Sequence, residues 1–595
     1  MQIVKRTALA KRFVLPTIDL EPEPYVKKDL GKRVAIFDTE TDPFEPGLVV
    51  KPFTCGFWLP DTQEYFDFWG DDCIDQFFKF LTANFAEEEL CIFVHNGGNF
   101  DFYFFPQYFD AGHKPFIING RLVKIVAGGQ EFRDSYAMIP VALGTYDKIK
   151  FDYDKMKLWS ISRIDTHKVV PAREFYRDEI LAYQKRDCTS LGELVTGWLD
   201  MFGARLTMAS AALPMLKSHH GFETLNDKLD REFRPYYFGG RNQCFAVGVM
   251  RGQFKVYDIN SSYPDVMRRY KHPIGGVPTY EAKITSRTHF AYIRAWSLGA
   301  LPVREANGSL TFPIGTHDFY ACIHEINAGI ETGTLRIVKV YHTVYFDEEA
   351  SFAEFVDTFY RLRLEADANG DAIRKLFYKL VLNSSYGKFA QDPRKYENWL
   401  FDPEEIPTPR FCEICCGYVK KGLTPPHCAL CEAKHSSPYG WYLHTTRDGR
   451  NIYASPQRVR AGSFFNVATA ASITSAARAS LIRGIQAATR PLYCDTDSVI
   501  CEGMAEGNGV VLHPSNLGAW DCEAEGDTVC IAGKKLYAIF NAGKEVKKAS
   551  KGVKLTASEI RRVCEGEVIE YAHPIPKFKL SGDVEFTTRR IRKTA

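Results

Sequence analysis

The chain has no apolar run approaching the ~20 residues that a membrane-spanning helix needs, so no membrane partner is expected. Nor does it have an excess of either charge. Lys and Arg number 75 and Asp and Glu 73, a net charge of +2, so a site for a polyanion must be local. It has no low-complexity tract and no repeat at solenoid periods, which excludes a disordered chain or a repeat scaffold. Cysteine is sparse, 16 in 595 residues, and no secretion signal is recognisable. Reduced thiols in a cytosol-like compartment are therefore expected. Lys5, Arg6, Lys11 and Arg12 are followed by Glu21 and Glu23 without an apolar segment or cleavage site. Residues 1–30 are read as an arm packed on the body.

What is present is ordinary for a globular protein: 45% hydrophobic, 25% charged and 14% aromatic residues. The length suggests about four domain-sized units. Up to residue 200 strands alternate with helices. KRVAIFDTE reads as a strand ending in acids, ELCIFVHNGG as a strand entering a glycine turn, and 172–200 as a helix. Residues 352–390 read as two helices split at Asn369-Gly370, 463–490 as a long Ala/Ser-rich helix, and PLYCDTDSVI as a hairpin with acids at its turn. The stretch 391–457, rich in Pro, Cys and Gly, reads as a small insertion, and the tail after 546 as basic and short-stranded.

Acids at the ends of apolar strands carry the chemistry, because a buried carboxylate is costly unless paired or metal-bound. Asp38 and Glu40 lie two apart on one strand and share a face. Asp101 follows the second strand, and Tyr183 and Asp187 are spaced i, i+4 on the predicted helix. Four carboxylates converging from separate elements suit two divalent cations that activate water against a phosphodiester, with Tyr183 orienting the water. Singly, each acid is better read as a solvated turn or cap residue; the ordered set outweighs that reading.

A second set is Asp258 in VYDINSSYP with Asp495 and Asp497 in YCDTDS. Asp258 and Asp497 would clamp two Mg²⁺ (or Mn²⁺) ions around a triphosphate for in-line transfer to a 3′ hydroxyl. A lone D-T-D would be an Asx turn. Between the two lies KLFYKLVLNSSYGKFA, where Lys375, Lys379, Asn383 and Tyr386 fall on one predicted helical face able to neutralise phosphate and stack a base.

Taken together, these segments resemble family B DNA polymerases, in particular the protein-primed branch of phages and linear plasmids. FDTET, HNGGNFD and YQKRD are similar to the three exonuclease motifs. DINSSYP, KLVLNSSYG and YCDTDS are similar to polymerase motifs A, B and C, KLY at 535–537 to K-x-Y, and YFGGR at 237–241 to the Y-x-G-G linker. The resemblance implies an α/β and α+β multidomain fold: a ribonuclease H-like exonuclease domain, then a right-hand palm, fingers and thumb with two insertions. It implies an arm (1–30), exonuclease (31–200), palm (201–280), first insertion (281–350), fingers (351–390), second insertion (391–457), palm again (458–545) and thumb (546–595).

It also implies roles. Asp38, Glu40, Asp101 and Asp187 would hold the exonuclease metals, with Tyr183 placing the nucleophile and Lys155 assisting. Thr41, Asn96, Phe100 and Ser135 would hold a single-stranded 3′ end. Asp258 and Asp497, with Asp495 beside them, would serve polymerisation. Tyr263 would exclude a 2′-OH. Lys375 and Lys379 would bind the triphosphate, and Asn383 and Tyr386 would line the nascent pair. Lys535 and Tyr537 would hold the primer terminus, and Tyr237, Gly239 and Gly240 the template. Ser262 and Ser385, and Tyr136 after Ser135, depart from the family's usual residues, which bears on fine selectivity. The partners implied are template-primer DNA, dNTPs and a terminal protein that primes, acting on a monomer in a host cell's cytoplasm with processive, strand-displacing synthesis. A nucleic-acid-primed or primer-independent polymerase, or a non-catalytic scaffold, are the alternatives.

The second insertion holds Cys412-x2-Cys415 and Cys428-x2-Cys431, twelve residues apart. Paired C-x2-C knuckles fit a tetrahedral structural Zn²⁺, with Cys416, His427 and His435 as spare ligands. Basic runs at 268–271, 544–554 and 589–593 are expected to include duplex-binding surface, the last two in the thumb.

Overall fold

The computed structural model describes residues 22–41, 50–145, 172–392, 397–404, 441–456, 465–573 and 576–594. Lys155 and the cysteines Cys412, Cys415, Cys428 and Cys431 lie outside them.

Two seven-stranded sheets dominate. In the first the strands run in the order Glu64–Trp69, Pro52–Leu59, Arg33–Thr41, Leu90–Val94, Gln130–Asp134, Arg121–Ala127 and Phe116–Ile118. The three central strands, Arg33–Thr41, Leu90–Val94 and Gln130–Asp134, are parallel neighbours. They are apolar because both faces are covered. Helix Cys73–Phe85 covers one face with Phe77, Phe78 and Leu81. Helix Arg177–Phe202 covers the other with Leu191, Leu194, Val195 and Trp198. The parallel arrangement brings the C-terminal ends of Arg33–Thr41 and Leu90–Val94, and hence the acids after them, to one edge of the sheet.

The second sheet is ordered Lys544–Ser550, Leu536–Asn541, Trp520–Gly533, Gly248–Ile259, Ser498–Cys501, Tyr493–Asp495 and Asn242–Cys244, with every recorded pairing antiparallel. Segments 242–259 and 493–550 thus form one sheet although more than 230 residues of chain separate them. The long helix Val467–Ala487 lies between this sheet, the helix Ile323–Glu331 and the core residues Phe377 and Val381. Its alanines and serines are buried nearly all round, since small side chains let several elements approach one helix. Asn466 caps it, its Oδ1 accepting the Thr469 N–H at 3.1 Å.

The two helices expected to form the fingers are Ala353–Ala368 and Ala372–Ser384, with the turn at Asn369-Gly370. A continuous core links Trp198 and Phe202 through Phe377 and Val381 to Ile473 and Ala476. The first insertion contributes the sheet Thr279–Glu281, Leu335–Tyr345, Phe290–Leu298, Ile314–Cys322 and a helix, Ile323–Glu331, which the sequence reading did not single out. The helix Ala557–Cys564, capped by Thr556 with a reciprocal Glu559 box, was likewise not foreseen in the tail.

Several expected boundaries cut elements. A break at 200 falls inside helix Arg177–Phe202, one at 280 inside strand Thr279–Glu281, and one at 545 inside strand Lys544–Ser550, which belongs to the second sheet. The described part of the second insertion is no free-standing unit. Its strands Glu397–Phe401, Tyr442–Arg447 and Arg450–Pro456 bury Trp399, Phe401, Ile452 and Ala454 in the core of the first sheet. Arg450 donates to the carbonyls of Pro106, Gln107 and Phe109. Of the arm, residues 22–30 pack on the body. The Tyr25 hydroxyl donates to the Phe202 carbonyl at 2.9 Å, and the Ala204 N–H to Lys28 O at 2.8 Å.

Candidate active sites

At the edge of the first sheet, Asp38, Glu40 and Asp187 offer oxygens that all lie within 4.8 Å of one another. Alternation along the strand gives Asp38 and Glu40 one face, and the helix Arg177–Phe202 lays Asp187 against it. Tyr183 sits one helical turn before Asp187 and is hydrogen-bonded to it; burial first, then the charges of Glu40, Asp187 and Asp38, push its phenol far above the usual range. Hard oxygens crowded in this way suit a divalent cation.

The structure differs from the sequence reading at the fourth acid. Asp101 is not in that triplet. Its Oδ1 accepts the Thr39 hydroxyl at 2.5 Å, and Thr39, lying between Asp38 and Glu40, alternates to the other side of the strand. Asp101 is 3% exposed, and burial raises its pKa. Three carboxylates therefore converge and the fourth is held by the intervening threonine.

Of the residues expected to hold a single-stranded 3′ end, Thr41 is half-buried at a register shift in its strand. Asn96 adopts a left-handed conformation, φ 64°, and its Oδ1 accepts from Arg121 at 3.0 Å. Phe100 packs edge-on against Phe104 and Phe578, so the C-terminal hairpin reaches this edge. Ser135 is 0% exposed. Its hydroxyl donates to Val94 O at 3.2 Å and meets His95 Nδ1 at 3.0 Å, so it has no surface to offer a strand and orients His95 instead. Gly98 is required by packing: a Cβ there would lie 2.0 Å from the Leu122 carbonyl. Sequence reasoning missed Gln184, fully buried, which gathers the Thr54 hydroxyl at 3.2 Å and the backbone carbonyl of Asp38 at 3.4 Å.

In the second sheet, Asp258, next to last in its strand, lies directly opposite Ser498 on one side and Asp521 on the other. The Ile259 N–H donates to the Asp497 carbonyl at 2.9 Å, so the two acids from distant segments are neighbours. Burial, then the charge of Asp497 and that of Glu523, raises Asp258 to about 8, with Lys547 opposing. Burial, then Asp495, raises Asp497 to about 6. Carboxylates held close in a partly dry site are those a cation would relieve. Asp521 and Glu523 were missed; they lie in the unremarkable run WDCE and are brought in by strand pairing alone. Lys547, in the basic tail, is ion-paired with Glu523.

Around these acids the expected residues assemble. Tyr263 and Tyr386 stack with ring centroids 4.1 Å apart and planes 14° from parallel. Tyr386 does not continue the helical face as expected: helix Ala372–Ser384 ends before it, and it opens a 3₁₀ turn, Tyr386–Ala390. Lys379 and Asn383 are exposed on the helix, whereas Lys375 Nζ is 2.5 Å from Asp367 on the neighbouring helix. Lys535 Nζ pairs with Asp495. Tyr537 is 7% exposed, against Tyr493, and its phenol is raised to about 12 mainly by burial. Tyr237 is half-buried, and its carbonyl accepts from Arg304 at 2.7 Å. Gly239 is open, and Gly240 packs on the D-T-D turn, where a Cβ would lie 2.6 Å from Thr496 Oγ1. The basic run at 268–271 is occupied internally, Arg268 by Asp357, Arg269 by Asp265 and Lys271 by Glu349.

Known proteins resemble this chain in sequence and in fold. Residues 81–420 match the family described as DNA polymerase type B, organellar and viral. Along 599 aligned residues, 96% of this chain and 99% of the other, the sequence is 39% identical to the DNA-directed DNA polymerase of Enterobacteria phage PRD1. The chain belongs to the type B DNA polymerases. The DNA polymerase of Bacillus phage phi29 is 26% identical over 392 residues, 61% of this chain and 60% of that one. A solved structure of phi29 DNA polymerase superposes with a TM-score of 0.67 over 94% of this chain and 100% of that chain, at 17% identity. The fold of this DNA-directed DNA polymerase is thus the expected one, an exonuclease-type domain ahead of palm, fingers and thumb. No helix among its described residues is long and apolar enough to cross a membrane.

Proposed function

We propose that this polymerase builds DNA at the site of Asp258 and Asp497 and trims it from the 3′ end at the site of Asp38, Glu40 and Asp187. The observation that carries the reading is the presence of two acid clusters on two different sheets, each crowded enough to favour divalent cations. Two Mg²⁺ or Mn²⁺ ions per site would polarise the phosphoryl group and lower the pKa of the attacking oxygen. Asp258 and Asp497 hold those ions at the polymerisation site, where the stacked Tyr263 and Tyr386 form a floor for the nucleotide sugar and base. Lys379 and Asn383 face the triphosphate and the nascent pair, and Lys375 joins them once released from Asp367. Lys535, anchored on Asp495, and Tyr537 position the primer terminus, and Tyr237 and Gly239 meet the template. At the other site Tyr183 orients water beside Asp187, and Asp101 stands behind the triplet through Thr39. Asn96, Thr41 and Phe100 border the strand, and Lys155 assists.

The reading extends to partners. A solved phi29 polymerase is bound to primer-template DNA and another to primer-template DNA with incoming nucleotides; the same ligands are proposed here, acting on a monomer in the cytoplasm of a host cell. A terminal protein supplies the priming hydroxyl, synthesis is processive and strand-displacing, and Cys412, Cys415, Cys428 and Cys431 hold a structural Zn²⁺. The test is extension of a singly primed circle with Mg²⁺, together with labelled dATP and a candidate terminal protein. Long products and label on the protein are expected. No extension by the wild-type chain overturns the polymerase reading, and extension without labelled protein overturns protein priming.

A further inference from the structure

Among the described residues, an ion pair between Arg478 and Glu325 is almost wholly buried and serves neither acid cluster directly. Arg478, midway along helix Val467–Ala487, and Glu325, in the first turn of helix Ile323–Glu331 of the first insertion, have side chains each 1% exposed. Arg478 Nε donates to Glu325 Oε1 at 2.7 Å and Nη2 to Oε2 at 2.8 Å, a bidentate fork. Its remaining nitrogen, Nη1, donates to the carbonyls of Phe238 at 2.5 Å and Gly239 at 2.8 Å. The guanidinium carbon also sits 5.7 Å from the centre of the Phe238 ring. One side chain therefore ties together the insertion, the long helix and the Y-F-G-G-R loop.

The loop continues into the polymerisation site. Gly240 lies against Thr496, so close that a Cβ would come within 2.6 Å of its hydroxyl. The next residue, Arg241, accepts the Thr496 N–H on its carbonyl at 2.6 Å. Thr496 has a left-handed backbone, φ 59°, and stands between Asp495 and Asp497. The turn that presents Asp497 rests on the loop that Arg478 holds. A buried ion pair is seldom a net source of stability, since well-packed apolar residues often replace it without loss. The planar fork of arginine can satisfy a carboxylate and two carbonyls at once, which lysine cannot.

We propose that the Arg478–Glu325 pair is a positioning device for the polymerisation acids. It fixes the Phe238–Gly239 backbone, and through Gly240 and Arg241 the D-T-D turn, and it makes the first insertion part of that support. The inference rests on the polymerase reading above, so wild-type extension is measured first.

The test replaces the pair by an apolar one, Arg478→Met with Glu325→Leu, and separately makes Arg478→Lys. Thermal midpoint, rate of single-nucleotide addition and degradation of a single-stranded 3′ end are then compared. Positioning predicts that the double variant melts near the wild-type temperature and degrades single strands at the wild-type rate, while nucleotide addition slows roughly tenfold or more at saturating dNTP. Arg478→Lys, which keeps a charge for Glu325 but lacks the fork, should show the same split. A variant of either kind that adds nucleotides at the wild-type rate overturns the proposal, as does a parallel fall in both activities. If the double variant does not fold, Arg478→Lys decides alone. A wild-type chain that extends nothing would instead sink the polymerase reading.

Discussion

Lys535 Nζ lies 2.9 and 2.8 Å from the two carboxylate oxygens of Asp495. The two acids of the D-T-D turn are thereby divided: Asp495 is paired with a lysine of the neighbouring loop, and Asp497 is left facing Asp258. Asp497→Asn should reduce primer extension to background, whereas Asp495→Asn and Lys535→Met should leave measurable synthesis, slowed within about 10²-fold, with weakened hold on the primer terminus. Pre-steady-state extension on a fixed primer-template separates them; equal, complete loss in all three would contradict the division.

Burial of Asp258, and after it the charges of Asp497 and Glu523, carries a stability cost. A carboxyl whose pKa rises to about 8 on folding binds a proton more readily in the folded chain than in the unfolded one. Its contribution to stability therefore falls as pH rises from about 4 to 8. In metal-free buffer at pH 8, Asp258→Asn should abolish extension yet raise stability, by on the order of 1 kcal/mol or more. Urea denaturation of both proteins checks this. A variant less stable than wild type at pH 8 would mean that the cost of burying this carboxylate beside its acidic neighbours is already relieved.

For the triplet Asp38, Glu40 and Asp187, the proposed trimming site predicts that Asp38→Ala removes degradation of a single-stranded 3′ end while sparing extension of a paired primer. Thr39→Val is the finer probe. It deletes the hydroxyl that Asp101 accepts while keeping the strand's shape, and should slow degradation by roughly 10–10². Trimming of a labelled oligonucleotide measures both, and undiminished trimming by Asp38→Ala would remove the two-site assignment.

His272 gives the fold a pH dependence of its own. It is 0% exposed, its Nε2–H donates to Val266 O at 3.0 Å, and its Nδ1 accepts from the Ser472 hydroxyl at 2.9 Å. Burial lowers its pKa to about 4. Between pH 6.5 and 4 the unfolded chain takes up this proton and the folded one does not. The stability is complete above pH 6.5 and is lost as pH falls, by on the order of 3 kcal/mol. Urea midpoints at pH 7.5 and 5 should differ more for the wild type than for His272→Gln. Identical slopes would show that another group carries the effect.

Metal analysis should find about one zinc per chain, lost together with thermal stability in Cys412→Ser. Zinc-free protein with unchanged stability in that variant would eliminate the site.

The sequence alone determined the acids and their order along the chain. Apolar strands running into Asp38, Asp258 and Asp497, and a helix carrying Tyr183 and Asp187 one turn apart, are local patterns of period two and period 3.6, readable without knowing what packs on them. The Ala/Ser-rich composition of 463–490 likewise read as a long helix, and the structure places Val467–Ala487 there, buried nearly all round. Pairing between remote strands and the final fit of side chains needed the tertiary structure. Asp521 and Glu523 join Asp258 through sheet register, Ser135 turns inward beneath His95, Gly240 backs onto Thr496, and Arg478 finds Glu325 from 153 residues away. None of these leaves a local signature, because each depends on which surfaces meet after the chain has closed loops of tens to hundreds of residues.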